Sequence, residues 1–371
     1  MDQRRWLRGG LGITAAWLLA AIVPPGWGQG TLPPAGPGPV TRIADENSGV
    51  PAVTGNRQTP VPSWGRPLPF PIVIADRRNN RLLEVTPDKR IVWAFDSPNL
   101  KVYRGNEDVN FALDGRTLWV SEEDNYDIHG IDYEKRQLIW TYGVPDVKGS
   151  KPGYLNYPDD AHLLADGKVM TADIRNCRIL FVDRESLKIA AQWGRPGQCK
   201  HDPPRTLDYP NGATPMANGD ILVTEIRGPW ISRITREGKV LWSVQAPKVR
   251  YPSDAFPTWD GRQVIVADFM KPGRVIIFDP ATRKIAWEYE VKQGEGMLDH
   301  PSLARELPTG DVLVTDDLRH RVIVIDRATK AIIWQYGVTD QASNEPGYLH
   351  YPDGLDLDVF RDWKAQAAKR P

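Results

Sequence analysis

Six segments of the chain place an oxygen-bearing side chain directly after a common lead-in, which is Tyr-Pro in four of them. These side chains are Glu107, Asp159, Asn211, Ser253, Ser302 and Asp353. One position further on, three of the segments add Asp108, Asp160 and Asp254. Convergent oxygen donors suit a hard cation such as calcium, which takes six to eight of them.

We predict Glu107, Asp159 and Asp353 as metal ligands, with calcium or another divalent cation as the ion. The sequence specifies no cofactor beyond this ion. The alternative is that the same side chains cap local turns after a proline, as Asp, Asn and Ser commonly do.

Histidines form a second set of candidates. His162 follows the Tyr-Pro of one segment, and His300 replaces the Tyr of another. If both face one channel, they could act as acid and base or bind zinc or copper; otherwise they are surface or packing residues. We predict both as ligand-binding residues. The chain contains no HExxH or GxSxG motif and no phosphate-binding glycine loop, so hydrolase and nucleotide-binding functions have no local support.

Two connections are near duplicates, and we expect them to form part of a binding face. Residues 143–159 and 337–353 share Pro-Gly-Tyr-Leu and Tyr-Pro at identical spacing, and the connection 194–209 has a similar length. Long loops on one face commonly build a binding site. We therefore predict ligand binding by Tyr154, Tyr348 and His201. The alternative is that Pro-Gly-Tyr-Leu only fills a junction between repeats.

The two cysteines, Cys177 and Cys199, fall in a turn and in the connection that follows the same repeat. In an exported protein they can form a disulfide, which we predict. Two independent thiols are the alternative. A metal site is weakly supported because no second Cys or Cys/His pair accompanies them.

The elements that position these groups are short strands. Residues 157–194 read as four strands of about five residues, with alternating apolar positions and turns at Gly, Asp and Asn. An acidic residue ends the second strand of each copy, at Asp76, Glu122, Asp173, Glu225, Asp268 and Asp316. The interval of about 43 to 52 residues is typical of a four-stranded propeller blade.

Two further features recur with the repeat. The fourth strand carries a tryptophan in five copies, which we expect to wedge between neighbouring blades; these are Trp93, Trp140, Trp242, Trp287 and Trp334. An arginine follows the acidic residue in four copies, at Arg81, Arg178, Arg274 and Arg321. A carboxylate that binds the turn and pairs with this arginine accounts for the acidic column without catalysis.

The ends of the repeat array predict how the ring closes. The first copy begins with its second strand at residues 71–76, and the last copy is followed by an additional first strand at 351–356. The fold predicted is therefore all-β: a six-bladed β-propeller over residues 71–359, in which the C-terminal strand completes blade one. Closure of this kind removes exposed sheet edges.

The order Tyr-Gly, Leu-x-Tyr-Pro, Asp-Gly, Ala-Asp and Asn-x-Arg resembles the NHL-repeat propellers over nearly the whole region. The fourth strands at 279–290 and 326–337 also resemble the Trp-bearing repeats of pyrroloquinoline-quinone-type and arylsulfotransferase-like propellers. The resemblance implies the propeller fold. It does not imply a quinone, because those quinoproteins have eight blades and six copies are counted here.

The flanking regions predict export. Residues 1–28 combine three arginines, an apolar run and a small-residue site, as a signal peptide does. Residues 29–70 read as a Pro/Gly-rich linker or arm, and residues 360–371 as a C-terminal tail. We expect a periplasmic or secreted monomer without a transmembrane domain; a retained N-terminal anchor is the alternative. With 47 basic and 47 acidic residues and no basic stripe, nucleic acid is not an expected partner.

Two functional hypotheses follow. The first is a non-enzymatic, exported propeller that binds a small molecule or a protein partner on its long-loop face. The second is a metal-dependent propeller enzyme of the lyase, lactonase or esterase type, with its ion in the central channel. Metal content separates the two hypotheses.

Overall fold

The computed structural model describes residues 68–97 and 99–361, which form six four-stranded antiparallel sheets. The predicted signal peptide, most of the predicted linker and the tail after Arg361 lie outside the described residues. Each sheet is one blade, and together the blades form a β-propeller, as the repeat predicts. The prediction of an all-β six-bladed propeller is confirmed.

The strands of blades one to three are β1 (Ile72–Asp76), β2 (Arg81–Val85), β3 (Ile91–Asp96), β4 (Asn106–Phe111), β5 (Thr117–Glu122), β6 (Asp127–Asp132), β7 (Gln137–Gly143), β8 (Pro158–Leu163), β9 (Lys168–Asp173), β10 (Arg178–Asp183) and β11 (Ile189–Gly194). Those of blades four to six, with the closing strand, are β12 (Pro210–Pro215), β13 (Ile221–Glu225), β14 (Trp230–Ile234), β15 (Val240–Gln245), β16 (Pro252–Pro257), β17 (Val264–Asp268), β18 (Arg274–Phe278), β19 (Ile285–Glu290), β20 (Ala304–Glu306), β21 (Val312–Asp316), β22 (Arg321–Ile325), β23 (Ile332–Tyr336) and β24 (Pro352–Leu357). Short 3-10 turns follow four of the second strands, at Arg77–Asn79, Glu123–Asn125, Ile174–Asn176 and Asp317–Arg319.

The C-terminal strand closes the ring. β24 pairs antiparallel with β1, with Ile72 opposite Leu357 and Ile74 opposite Leu355, so blade one has the order β24, β1, β2, β3. Leu355 and Leu357 are buried with Ile72 and Ile74 in one apolar cluster. The predicted closure is confirmed.

The apolar core lies between blades. Val73 and Leu82 of blade one pack with Leu118 and Ile131 of blade two, and similar clusters fill other junctions. Second strands such as β9 are buried along almost their whole length, whereas the first four residues of β11 alternate between half-buried and exposed because its outer side faces solvent. The Val- and Ile-rich composition of the inner strands follows from this double burial.

The tryptophans of the fourth strands join neighbouring blades. The indole N–H of Trp93 donates to the carbonyl of Tyr133 at 2.8 Å, and that of Trp334 to the carbonyl of Pro87 at 2.9 Å across the closure. Trp140 and Trp287 make the same bond to Arg184 and Arg327. In these four blades the predicted wedge is therefore also a hydrogen bond to the next blade, whereas Trp242 packs, partly buried, against the cluster of blades four and five.

The acidic residue that ends a second strand fixes the connection that enters its blade. Asp173 accepts the backbone N–H of Asn156 at 2.8 Å and pairs with Arg178 Nε at 2.7 Å. Asp316 binds Arg321 in the same way, at 2.8 Å. Desolvation by burial raises the pKa of Asp173 to about 6 despite the arginine. The column is structural in these blades, as its spacing to arginine indicates.

Cys177 and Cys199 form a disulfide, with their Cα atoms 5.3 Å apart. The bond joins the turn after β9 to the connection that leads to β12. The predicted pairing is confirmed. Within the described residues, no helix is long and apolar enough to cross a membrane.

Candidate functional site

The first strands of the six blades surround the axis of the propeller, so their polar side chains converge. We call the end that carries the long connections between blades the loop face. The opposite end carries short turns such as Asp166–Gly167 and is called the hairpin face. Along the axis the polar side chains form three layers, described here from the loop face inwards.

An arginine occupies the layer nearest the loop face. Arg77 Nη1 lies 3.0 Å from Glu107 Oε1 and 2.8 Å from Asp353 Oδ2, and its Nη2 lies 2.6 Å from Glu123 Oε2. The guanidinium also lies against the ring of Tyr351, 5.5 Å from its centroid. Arg77 is only 7% exposed. It is thus an internal counter-ion for two of the three predicted metal ligands.

Other residues of the layer nearest the loop face are hydrogen-bonded within the protein. Ser302 Oγ contacts Asp317 Oδ1 at 2.9 Å and the Asp353 carbonyl at 3.0 Å. Asp159 Oδ1 accepts the backbone N–H of Asp160 at 2.8 Å, and such local capping is the alternative to metal binding. A cation on Glu107, Asp159 and Asp353 stays a prediction, and Arg77 already pairs with Glu107 and Asp353.

A layer of three carboxylates lies one residue further along the strands. Asp108, Asp160 and Asp254 each present an oxygen within 4.8 Å of the others, and each is at most 4% exposed. Asp160 accepts the Ala213 N–H at 2.6 Å and contacts His162 Nε2 at 3.2 Å. Asp254 Oδ1 has no hydrogen-bond partner among the described residues. We call these three residues the carboxylate layer.

The electrostatics of the carboxylate layer are unfavourable without a cation. Burial, aided by neighbouring carboxylates, raises the pKa of Asp108 to about 7. The same two causes raise the pKa of Asp254 well above its ordinary range. Buried like charges disfavour their own ionisation, and an added cation reverses that effect.

Two glycines leave room for these carboxylates. A Cβ atom at Gly212 would lie 2.4 Å from Asp254 Oδ1, and one at Gly354 would lie 2.1 Å from Asp108 Oδ1. Any larger residue at either position would displace a carboxylate. The backbone of blades four and one therefore approaches the axis closely where the acidic side chains of blades five and two project.

The third layer lines a cavity of about 360 Å³ that opens at the hairpin face. We call it the hairpin-face cavity. Its walls include Asn110, His162, Thr214, Phe256, Trp259, Arg305 and Asp356. Arg305 pairs with Asp356 and lies over the Phe256 ring, 4.9 Å from its centroid. The cavity thus combines an aromatic wall with polar groups. Side chains that line it, such as His162 and Phe256, come two residues after those of the carboxylate layer along the strands.

The structure separates the two predicted histidines. His162 lies in the wall of the hairpin-face cavity. His300 lies at the loop face, with its Nδ1 2.7 Å from Asp299 Oδ1 and its ring in T-shaped contact with that of Phe269. Phe269 lines a smaller loop-face cavity of about 130 Å³, together with Arg77, Tyr251 and Tyr351. The two histidines therefore do not share a cavity.

Tyr154 and Tyr348 anchor their connections. The carbonyl of Tyr154 accepts a hydrogen bond from Arg178 at 3.1 Å, and that of Tyr348 accepts one from Arg81 at 3.3 Å. Leu155 and Leu349 follow them and are fully buried. Both rings are half-buried and line neither axial cavity. These contacts favour the interpretation that Pro-Gly-Tyr-Leu fills a blade junction.

His201 takes the place of an arginine in blade four. Its Nδ1 lies 2.6 Å from Glu225 Oε2, and its Nε2 lies 3.1 Å from Ser243 Oγ. The imidazole stacks on Trp230, the residue at the register where other blades have arginine, with ring centroids 4.0 Å apart. The ring is one-fifth exposed. His201 is therefore the hydrogen-bond partner of Glu225, the acidic residue that ends the second strand of blade four.

Comparisons with known proteins agree with the fold. Residues 190–347 match the family model described as outer membrane protein assembly factor BamB. A crystal structure of a protein of unknown function from Bacteroides caccae is similar at 15% sequence identity and TM-score 0.53, covering 78% of this chain and 98% of that chain. A crystal structure of virginiamycin B lyase from Staphylococcus aureus is similar at 15% identity and TM-score 0.51, covering 78% and 89%. A search of curated proteins finds no match.

The fold and the comparisons together define a class. The chain is a six-bladed β-propeller closed by its C-terminal strand. Its fourth, fifth and sixth blades carry the repeat that the BamB family model describes, which confirms the resemblance to the pyrroloquinoline-quinone-type repeats. At 15% identity, the two solved structures support the fold alone.

Proposed function

We propose that the protein is a cation-dependent binding protein that holds a small ligand in the hairpin-face cavity. The observation that carries this proposal is the carboxylate layer, in which three buried acids converge and Asp254 Oδ1 remains unpartnered among the described residues. Uncompensated buried charge is costly, so such a layer calls for a cation or for protons. Arg77 contacts the adjacent ring and not this layer.

The donor set selects the ion. Three carboxylates offer only oxygen ligands, which suit calcium, magnesium or manganese better than softer metals. Three residues also leave positions for exchangeable ligands on the ion. The hairpin-face cavity lies next to the carboxylate layer, because His162 contacts Asp160 and also forms part of the cavity wall.

The cavity then defines the ligand class. An ion on its inner side favours a ligand with carboxylate or carbonyl oxygens, and Phe256 and Trp259 favour an apolar or aromatic body. The cavity is larger than the one at the loop face, about 360 against 130 Å³. We therefore move the proposed binding site from the loop face, where the loops predict it, to the hairpin face.

A cellular location outside the cytoplasm belongs to the same proposal. The disulfide supports an oxidising compartment, since such bonds are rare in the cytosol. The description of the matched family model names an outer membrane protein assembly factor, which is consistent with export. We propose a periplasmic or secreted protein on these grounds.

Calcium is expected to bind one axial site in chelator-treated protein and to raise its melting temperature. Asp254→Asn removes the unpartnered carboxylate from the layer and should weaken binding roughly a hundredfold, the equivalent of about 2.7 kcal/mol. Isothermal titration calorimetry and thermal melting measure both effects. Asp114→Asn, at an exposed turn, is the matched control and should bind as the wild type does. Equal affinity in Asp254→Asn, or no binding by the wild type, contradicts the site.

Benzoate is expected to bind the calcium-loaded protein, because it offers oxygens to the ion and a ring to the aromatic wall. Saturation-transfer NMR should show contact that chelation removes and that Trp259→Ala weakens about tenfold, since aromatic contacts contribute on the order of 1 kcal/mol. The double variant Tyr154→Ala/Tyr348→Ala should bind normally. Loss of binding in that variant, with retention in Trp259→Ala, would return the site to the loop face.

A second candidate is a cation-dependent enzyme, and the position of His162 favours it. The imidazole lies in the cavity wall and contacts Asp160, so it could move a proton beside a carbonyl polarised by the ion. Hydrolysis of a benzoate ester by the wild type but not by His162→Ala supports the enzyme. Binding of benzoate without turnover of any ester supports the binding protein.

A further inference from the structure

We propose that blade two contains a buried site for a divalent transition-metal ion of the zinc class, bound by Glu122, Asp127 and His129. The site replaces the arginine that neutralises the equivalent acidic residue in other blades. It is independent of the carboxylate layer, since it lies at the end of β5 and the start of β6.

The comparison between blades is the first step. Asp76, Asp173 and Asp316 each pair with an arginine five residues later, at 2.7 to 2.8 Å. In blade five, Arg250 and Arg274 approach Asp268 at 3.8 and 3.9 Å. In blade four the partner is His201.

Blade two departs from this rule. The residue five positions after Glu122 is Asp127, so a second carboxylate stands where the arginine is expected. Both side chains are fully buried. The nearby Arg104 directs its guanidinium to Asp146 at the surface. Two buried carboxylates side by side call for a positive charge from another source or for protons.

His129 is placed to bind that charge as a ligand. Its Nδ1 lies 2.8 Å from Thr141 Oγ1, which orients the ring, and its Nε2 lies 3.5 Å from both Glu122 Oε2 and Asp127 Oδ2. Nε2 is fully buried and has no hydrogen-bond partner among the described residues. A hydrogen bond between ring and oxygen would be shorter than 3.5 Å. A ligand atom of each of the three residues lies within 4.8 Å of the others.

Further unpaired oxygens surround the trio. Asn125 donates to Glu122 Oε2 at 2.8 Å, while its own Oδ1 is unpaired within the described chain. The Tyr103 hydroxyl is also buried and unpaired there, and its ring lies 6.0 Å from that of His129. A histidine nitrogen with carboxylate oxygens is a donor set that zinc accepts in tetrahedral sites. A metal-binding histidine usually hydrogen-bonds an oxygen through its other ring nitrogen, as His129 does with Thr141 Oγ1.

Charge balance distinguishes the metal from a single proton. A protonated His129 with two carboxylates leaves a net charge of −1 in a fully buried site, and neutrality then needs a second proton on one of the carboxylates. A divalent ion with a neutral imidazole leaves zero, as the arginine does in blades one, three and six. The metal site therefore restores in blade two the neutrality that the repeat provides elsewhere.

The test uses chelator-treated full-length protein titrated with zinc. The wild type should retain one equivalent of zinc after gel filtration, and its melting temperature should rise by roughly 5 °C at a hundredfold excess over Kd. His129→Gln should retain no zinc at this site. Asp127→Arg, which rebuilds the arginine of the other blades, should melt cooperatively and be insensitive to zinc.

Cobalt(II) gives an independent readout, because its visible absorption reports the ligand set. A tetrahedral spectrum should appear in the wild type and in Asp254→Asn, and should be absent from Asp127→Arg. The Asp254→Asn variant separates this site from the axial one. Equal zinc content and equal melting shifts in the wild type and Asp127→Arg would overturn the proposal even if His129→Gln failed to fold.

Discussion

Removal of the chain from Tyr351 to the C-terminus is expected to abolish cooperative folding. β24 supplies the axial strand of blade one, and without it the backbone groups of β1 face an open edge. The core also loses Leu355 and Leu357, and Arg77 loses its partner Asp353. The loss of two buried leucines and of one buried ion pair is expected to cost several kcal/mol of unfolding free energy. This cost is comparable to the whole stability of a typical domain, about 5–15 kcal/mol.

Soluble yield and a thermal melt followed by circular dichroism measure this result. The matched control ends the chain after Arg361, which keeps β24 and the contact of Arg361 with Gly115. That shorter deletion should melt like the full chain. A soluble, cooperatively melting protein without β24 would mean that blade one closes in another way.

Much of the fold follows from the sequence because its determinants are local and repeated. The acidic residue and arginine, as in Asp173–Arg178, and the tryptophans of the fourth strands recur at fixed offsets within a blade. The additional strand at 351–356 is the first strand that the first copy lacks. Each blade must bury both faces of its sheet, so six copies at this period permit few arrangements. The disulfide could be predicted for the same reason, since both connections emerge on one face.

The site is less predictable because it depends on side chains of different blades that meet at the propeller axis. Arg77 directly follows an acidic residue of the repeat, and the sequence alone does not show that it turns towards the axis. His162 and His300 differ by five positions relative to their prolines, which is enough to place them at opposite ends of a strand. Sequence reasoning also missed Glu123, Tyr251 and Gly354. One available signal was that glycine occupies the register of Asp108, Asp160 and Asp254 in two other copies, at Gly212 and Gly354.

The substitution Arg321→Ala is expected to cost about 3–5 kcal/mol of unfolding free energy. The Arg321 side chain is fully buried, pairs with Asp316 at 2.8 Å and donates to the Glu295 and Met297 carbonyls at 2.9 and 3.1 Å. Its loss leaves the buried Asp316 Oδ2 without its donor and leaves the two loop carbonyls only their hydrogen bonds from Arg319 Nη1, at 3.2 and 2.7 Å. Denaturant unfolding measures the change. Arg184→Ala, on an exposed turn, is the matched control and should be unchanged.

The pH dependence of this variant identifies the mechanism. Burial already raises the pKa of Asp316 in the folded protein, and loss of the arginine raises it further. A carboxyl whose folded pKa lies above its unfolded value is favoured when protonated, so its contribution to stability is lost as pH rises through the folded pKa. Arg321→Ala should therefore be closer to the wild type at pH 5 than at pH 8. Replacing both partners, as in Asp316→Asn/Arg321→Met, should recover part of the loss at pH 8, because no buried charge remains. A cost that is independent of pH, and equal in the single and double variants, would assign the effect to lost packing instead of the unpaired carboxylate.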